Sequence, residues 1–84
     1  MYILRCADGS LYVGETEDIQ ARFAKHNEGS ASRFTACRRP VTLMYTEHYT
    51  TADAARVRER QIKGWTRAKK EALVAGDLSL LKRL

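Results

Sequence analysis

The chain is short of the features that mark several protein classes. It has only two cysteines, Cys6 and Cys37, among 84 residues. Two do not make a disulfide framework, and no Cys-x-x-Cys or His–Cys spacing suggests zinc, so two reduced thiols are the simplest reading. No apolar run is long enough to span a membrane and no signal peptide is visible at the start, which predicts a soluble, cytoplasmic protein. Internal repeats, linkers and low-complexity segments are also missing, so residues 1–84 are read as one domain. A domain this small has a thin core, and small cores often gain from pairing; a monomer or a weak homodimer is expected.

Acidic residues are the minority, ten Asp and Glu against fifteen Lys and Arg, for a formal charge of +5. That balance favours an anionic partner, nucleic acid ahead of an acidic membrane surface. The hydrophobic share of 44% is ordinary for a globular protein and excludes disorder as the general state.

Two tyrosines, in Tyr2-Ile3-Leu4 and Tyr12-Val13-Gly14, sit ten positions apart in short apolar runs. Residues 1–6 and 11–15 read as strands, and Asp8-Gly9 marks the turn between them. The turn has two possible lengths. A two-residue loop of Asp8-Gly9 pairs Leu4 with Val13 and places the phenols on opposite faces. A three-residue loop, Ala7-Asp8-Gly9 with Gly9 left-handed, pairs Leu4 with Tyr12 and Tyr2 with Gly14. Both phenols then share a face, with open space at Gly14 opposite Tyr2, and a phosphate-sized polar cluster needs this second register.

Thr16 to Asn27 reads as a helix capped by Thr16 or Asp18 and ended at Glu28-Gly29. Ile19, Phe23 and His26 form its apolar side, flanked by Arg22. Residues 29–40 read as a polar, basic loop. Val41 to Tyr49 reads as a third strand, apolar enough to be the covered central one. Thr51 to Trp65 and Thr66 to Ala75 read as two more helices, with a terminal helical turn in which Leu78, Leu81 and Leu84 complete the core. The order β-β-α-β-α-α predicts an α+β fold, a three-stranded, mostly antiparallel sheet flanked by helices.

Several residues invite chemistry, and each has a plain structural explanation as well. Glu59 lies near an apolar stripe, yet Lys63 at i+4 explains it as a surface ion pair. Arg22 can lie solvated over Phe23 or Ile19, His26 can be a satisfied half-buried histidine, and either tyrosine can be an ordinary strand aromatic.

The combination is more specific than its members. Tyr2-Ile3-Leu4, Tyr12-Val13-Gly14, Thr16-x-x-x-x-x-Arg22-x-x-x-His26-Asn27 and Glu59-x-x-Ile62-Lys63 together resemble the GIY-YIG nuclease family over the whole chain. The segments at 5–12 and 59–70 are similar to its small stand-alone members of the UPF0213 type. The chain departs from the family pattern in places. Met1 stands where the first motif's glycine falls, Val13 replaces isoleucine, no Asn follows Asn27, and Glu15 adds an acid beside the phosphate site.

The resemblance implies a metal-dependent endonuclease that hydrolyses phosphodiester bonds in DNA, structure-specific or single-stranded in preference. It implies Glu59 as ligand of Mg²⁺ or Mn²⁺ bound only with substrate, and Arg22 as the group that neutralises phosphoryl charge. Tyr2 and Tyr12, aided by His26, would position or deprotonate the attacking water. Arg33, Arg38, Arg39, Lys63, Arg67, Lys69 and Lys70 are expected to form a track for phosphates, with Phe34 available to stack on a base. Two other readings stay open: a nucleic-acid-binding module with little or no catalysis, and a basic protein-interaction domain.

Overall fold

A computed structural model describes residues 1–84. Eight elements follow one another: β1 (Tyr2–Arg5), β2 (Leu11–Gly14), α1 (Ile19–Glu28), α2 (Arg33–Ala36), β3 (Thr42–Thr46), α3 (Ala52–Lys63), α4 (Arg67–Ala75) and α5 (Leu78–Arg83). The three strands form one antiparallel sheet in the order β2-β1-β3. The α+β class and the β-β-α-β-α-α succession therefore hold, with the short helix α2 added and the expected terminal helical turn present as α5.

The central strand is β1, and the expectation that the third strand is central is corrected. Tyr2, Ile3 and Leu4 are all buried, because helices cover both faces of the sheet. Ile3 packs with Met1, Val13, Ile62 and Leu73 on one face, under α3, α4 and α5. Tyr2 and Leu4 pack with Cys6 and Val41 on the other, against Ile19 and Phe23 of α1. Strand β3 lies at the edge and leaves Thr42 and Met44 exposed. Its apolar alternation was the misleading signal: Met44 is an extra residue at a bulge between the Ile3–Tyr45 and Leu4–Leu43 pairs and points outward.

The hairpin has the three-residue loop. Leu4 pairs with Tyr12 and Tyr2 with Gly14, and Cys6 N–H donates to the Ser10 carbonyl at 2.8 Å to close Ala7-Asp8-Gly9. Gly9 sits at φ 87°, where a Cβ is disfavoured. Asp8 reinforces the turn by accepting from the Ser10 backbone N–H at 3.0 Å.

Helix ends follow local chemistry. Asp18, not Thr16, caps α1 by accepting from Ala21 N–H at 3.0 Å, while Thr16 supports Asp18. Thr51 and Thr66 cap α3 and α4 as expected. The segment 29–40 is not all loop: Ser32 accepts from Phe34 N–H and starts the single helical turn α2. At the C-terminal end only Leu81 reaches the core; Leu78 and Leu84 are exposed, because α5 is too short to turn three leucines inward.

Glu47 ties the edge strand to α3. Tyr45 and Tyr49 donate their phenolic hydrogens to it at 2.6 Å each, and Arg58 donates through Nε at 3.0 Å. Burial alone would raise the Glu47 pKa, but these hydrogen bonds from Arg58, Tyr45 and Tyr49 outweigh it and hold the carboxyl at about 2. A folded pKa below the unfolded one means that the stabilisation is complete above the unfolded value and fades as pH falls toward 2. Acid titration of stability by urea denaturation should lose on the order of 3 kcal/mol through this group between about pH 4.5 and pH 2. In Glu47→Gln that loss should vanish and neutral-pH stability should drop.

Candidate functional site

The three-residue turn decides the site, because it brings both tyrosines to the face covered by α1. Tyr2 and Tyr12 ring centroids lie 6.3 Å apart. His26 meets both rings edge-on, at 5.7 Å from Tyr2 and 4.9 Å from Tyr12. The space at Gly14 is not open: the Tyr2 phenol lies over it, and a Cβ there would collide with the Tyr2 hydroxyl. Glycine at 14 thus makes room for the phenol that it faces.

His26 is completely buried, and both ring nitrogens are satisfied. Nδ1 is 2.7 Å from Thr35 Oγ1, and Nε2 is 2.8 Å from the Tyr2 hydroxyl. Thr35 donates its one hydroxyl hydrogen to the Ser32 carbonyl at 3.3 Å, so it accepts from Nδ1–H. Nε2 is then the acceptor, and Tyr2 donates to it. A directed chain runs Tyr2, His26, Thr35, Ser32. Thr35 escaped the sequence reading; Ser32 as a cap followed by Arg33-Phe34-Thr35 was the signal that could have placed it on a helix.

The titration behaviour follows the geometry. Burial, then the Tyr12 phenol, pushes the Tyr2 pKa well above the ordinary phenol; Glu59 and Glu15 push the same way, and Arg22 opposes them. Burial, then the positive charge of Arg22, pulls the His26 pKa below its ordinary value. Tyr2 is therefore a protonated donor and His26 a neutral acceptor at pH 7.

The charged residues divide into free and engaged groups. The Arg22 guanidinium makes no ion pair or side-chain hydrogen bond and is exposed, although its charge acts on Tyr2 and His26. Glu59 is half-buried and pairs with Lys63 at 3.0 Å, so the predicted ion pair is present. Its negative charge nonetheless acts on the Tyr2 phenol and favours the protonated form. Glu15 is mostly buried and touches Arg56 at 3.8 Å. No group of three or more His, Cys, Asp or Glu residues is arranged to hold a metal ion.

The expected phosphate track is only partly available. Arg38 is held by Asp8 at 3.0 Å and by the Phe34 carbonyl at 2.8 Å. Arg39 donates to the carbonyls of Ala36 and Asn27, and its guanidinium covers Gly29. Arg67 donates to the Gly9 carbonyl at 2.8 Å, docking α4 on the hairpin. Lys63 is taken by Glu59, and Lys69 lies over the Trp65 ring at 5.8 Å. Arg33 and Lys70 have no partner. Asn27, adjacent to His26, has a structural role that sequence reasoning missed: Oδ1 accepts from Val41 N–H at 2.8 Å and Nδ2 donates to the Val41 carbonyl at 3.2 Å, joining α1 to the start of β3.

An open cleft of about 610 Å³ lies elsewhere, between the start of α1 and the start of α3, lined by Glu15, Glu17, Asp18 and Glu47 among others. Its acidic wall does not suit a phosphate, and none of the ring cluster lines it.

Two outcomes follow. Gly14→Ala should destabilise the fold by about 1–3 kcal/mol in urea denaturation, as overpacking does, and should shift the His26 ring resonances by displacing the Tyr2 hydroxyl. Because His26 has a lowered folded pKa, its neutral form stabilises the fold above the unfolded value of about 6.5 and progressively less below it. Stability measured from pH 7 down to 5 should therefore fall, and His26→Gln should flatten that segment of the curve.

Comparison with known proteins gives one consistent result. The family model for the GIY-YIG catalytic domain matches residues 1–72. UPF0213 proteins of Staphylococcus aureus, from strains Mu3, Mu50 and N315, are each 49% identical over 74 residues, covering 88% of this chain and 90% of the relative. No solved structure matches the chain significantly.

Proposed function

The chain belongs to the GIY-YIG family, and from that premise we propose that it is a metal-dependent endonuclease that hydrolyses phosphodiester bonds in DNA. The observation that carries the proposal is the cluster of Tyr2, Tyr12 and His26 on one face of the hairpin, within the electrostatic reach of Arg22 and Glu59. Those are two phenols, a neutral imidazole, a free cation and a carboxylate, the groups that phosphoryl transfer to water uses.

The roles divide by burial and hydrogen bonding. Tyr2 is buried and donates to His26, so it is a positioning residue that keeps its proton. Tyr12 is partly exposed and has no hydrogen-bond partner, which makes it the phenol that reaches substrate. A phenol takes a proton from water only as phenolate, a form that positive charge beside it favours. Arg22, exposed and without a partner, binds the phosphate oxygens and supplies part of that charge. The His26 edge against the Tyr12 ring holds the phenol in place.

Glu59 is the carboxylate to which the proposal assigns the cation. A single carboxylate, with water and phosphate oxygens completing the shell, fits a hard ion that keeps its waters, Mg²⁺ or Mn²⁺, bound with substrate. The Lys63 pair is a surface i,i+4 contact worth only about 0.3–0.5 kcal/mol, so Glu59 is readily released from it. When bound, the ion would neutralise charge on the phosphoryl group and leaving oxygen.

A second reading, a nucleic-acid-binding module without useful catalysis, is favoured by Glu15, whose mostly buried carboxylate repels phosphate from the Tyr2 side. Labelled single-stranded, nicked and branched DNA, incubated with Mg²⁺ or Mn²⁺ and with chelator, separates the two. Metal-dependent cleavage is expected, with Glu59→Gln and Tyr12→Phe each lowering the rate about 10²-fold or more. Cleavage that persists equally in Glu59→Gln would sink the assignment to this site. Binding without cleavage by the unmodified protein would establish the second reading instead.

A further inference from the structure

The aromatic cluster does not end at the pocket. From buried His26 it continues through Tyr12 to Phe34 on α2, whose ring is 6.0 Å from that of Tyr12 and stacked at 29°. The Arg38 guanidinium then lies 4.0 Å over the Phe34 ring. Phe34 is 38% exposed and belongs to neither hydrophobic cluster, so core packing does not account for it. Arg38 is held at its edge by Asp8 and the Phe34 carbonyl, and Asp8 offsets part of its charge. A guanidinium whose edge is already engaged has fewer donors left for a phosphate, while its π-face stays available for stacking.

We propose that the Tyr12–Phe34–Arg38 stack is a platform for an unpaired nucleobase, which stacks on the Arg38 guanidinium with Phe34 between it and Tyr12. The proposal rests on the endonuclease reading and narrows its substrate class to DNA with an unpaired segment near the scissile bond. A paired base is already stacked on both sides within the duplex and cannot lie on the platform unless it is extruded. Guanidinium and aromatic planes take any base, so the platform selects strand state and not sequence. Arg38 thereby leaves the set of phosphate contacts, and Arg33 beside it, which has no partner, remains in it.

Fluorescence anisotropy with the unmodified protein in chelator measures this without cleavage. The probes are a single-stranded deoxyoligonucleotide carrying 2-aminopurine, the same strand with abasic sites in place of bases, and a blunt duplex. The base-containing strand should bind about fivefold or more tightly than the abasic one, with 2-aminopurine emission quenched. Arg38→Lys and Phe34→Leu should each abolish most of that difference while leaving duplex affinity and the salt dependence unchanged; urea denaturation of both variants confirms folding. Removing a true phosphate contact, Arg33→Gln, should instead reduce the slope of log affinity against log salt by about one. Equal binding of base-containing and abasic strands by the unmodified protein overturns the platform. A further variant, Arg38→Gln, also overturns it if it lowers the salt slope and leaves the preference for the base-containing strand intact. Glu59-dependent cleavage alongside equal binding overturns the platform alone, whereas base-dependent binding without any cleavage overturns the nuclease reading and leaves the platform standing.

Discussion

The hydrogen bond from the Tyr2 phenol to His26 Nε2 is the contact on which the rest of the site depends. It joins the central strand to α1 across a buried face, where an unmet polar group would be costly. Each end imposes a condition. On the strand side, Gly14 must lack a Cβ so that the phenol can lie across it. On the helix side, Nδ1 must find an acceptor, and Thr35 provides it through a helical turn that Ser32 caps. The short α2 carries Thr35 to that nitrogen, so both nitrogens of the buried imidazole are satisfied. Phe34 is placed beside Tyr12 as a consequence.

Charge is distributed by a similar logic. The chain carries fifteen Lys and Arg, and a one-dimensional view makes them a continuous track. In three dimensions many brace the fold. Arg5 and Arg67 tie α4 to the hairpin through Glu71 and the Gly9 carbonyl, Arg58 ties α3 to the edge strand through Glu47, and Arg39 closes the end of α1. A small domain with a thin core uses its long cations for such joins, since their stems cover apolar surface while their heads find carbonyls and carboxylates. Arg22 is left without a partner beside the rings, where a phosphate would supply one.

Much of this was legible in the residues. Alternation and Asp8-Gly9 gave the hairpin, threonines and aspartates marked the helix starts, and glycines at 29 and 76 marked the ends of α1 and α4, because each of those choices is local. The failures were all non-local. The third strand looked central from its apolar residues, yet a bulge at Met44 turns one of them outward, and bulges depend on the partner strand. The terminal leucines looked like core because their spacing is helical, but spacing does not say how far a short helix reaches. Thr35 looked like loop because its reason for burial, His26, is nine residues away.

The sequence by itself determined the inventory: two phenols, an imidazole, a guanidinium and a carboxylate, and a family membership carried by their spacing. It also determined a choice of two hairpin registers without selecting one on local grounds, since both obey strand alternation. Only the tertiary structure decided between them. Packing β1 between two helical layers makes a one-residue slip bury the wrong face, so the three-residue turn follows and brings the phenols together. The same packing set the two phenols apart, sealing Tyr2 against His26 and leaving Tyr12 partly exposed, because burial and hydrogen-bond partners are properties of neighbours in space.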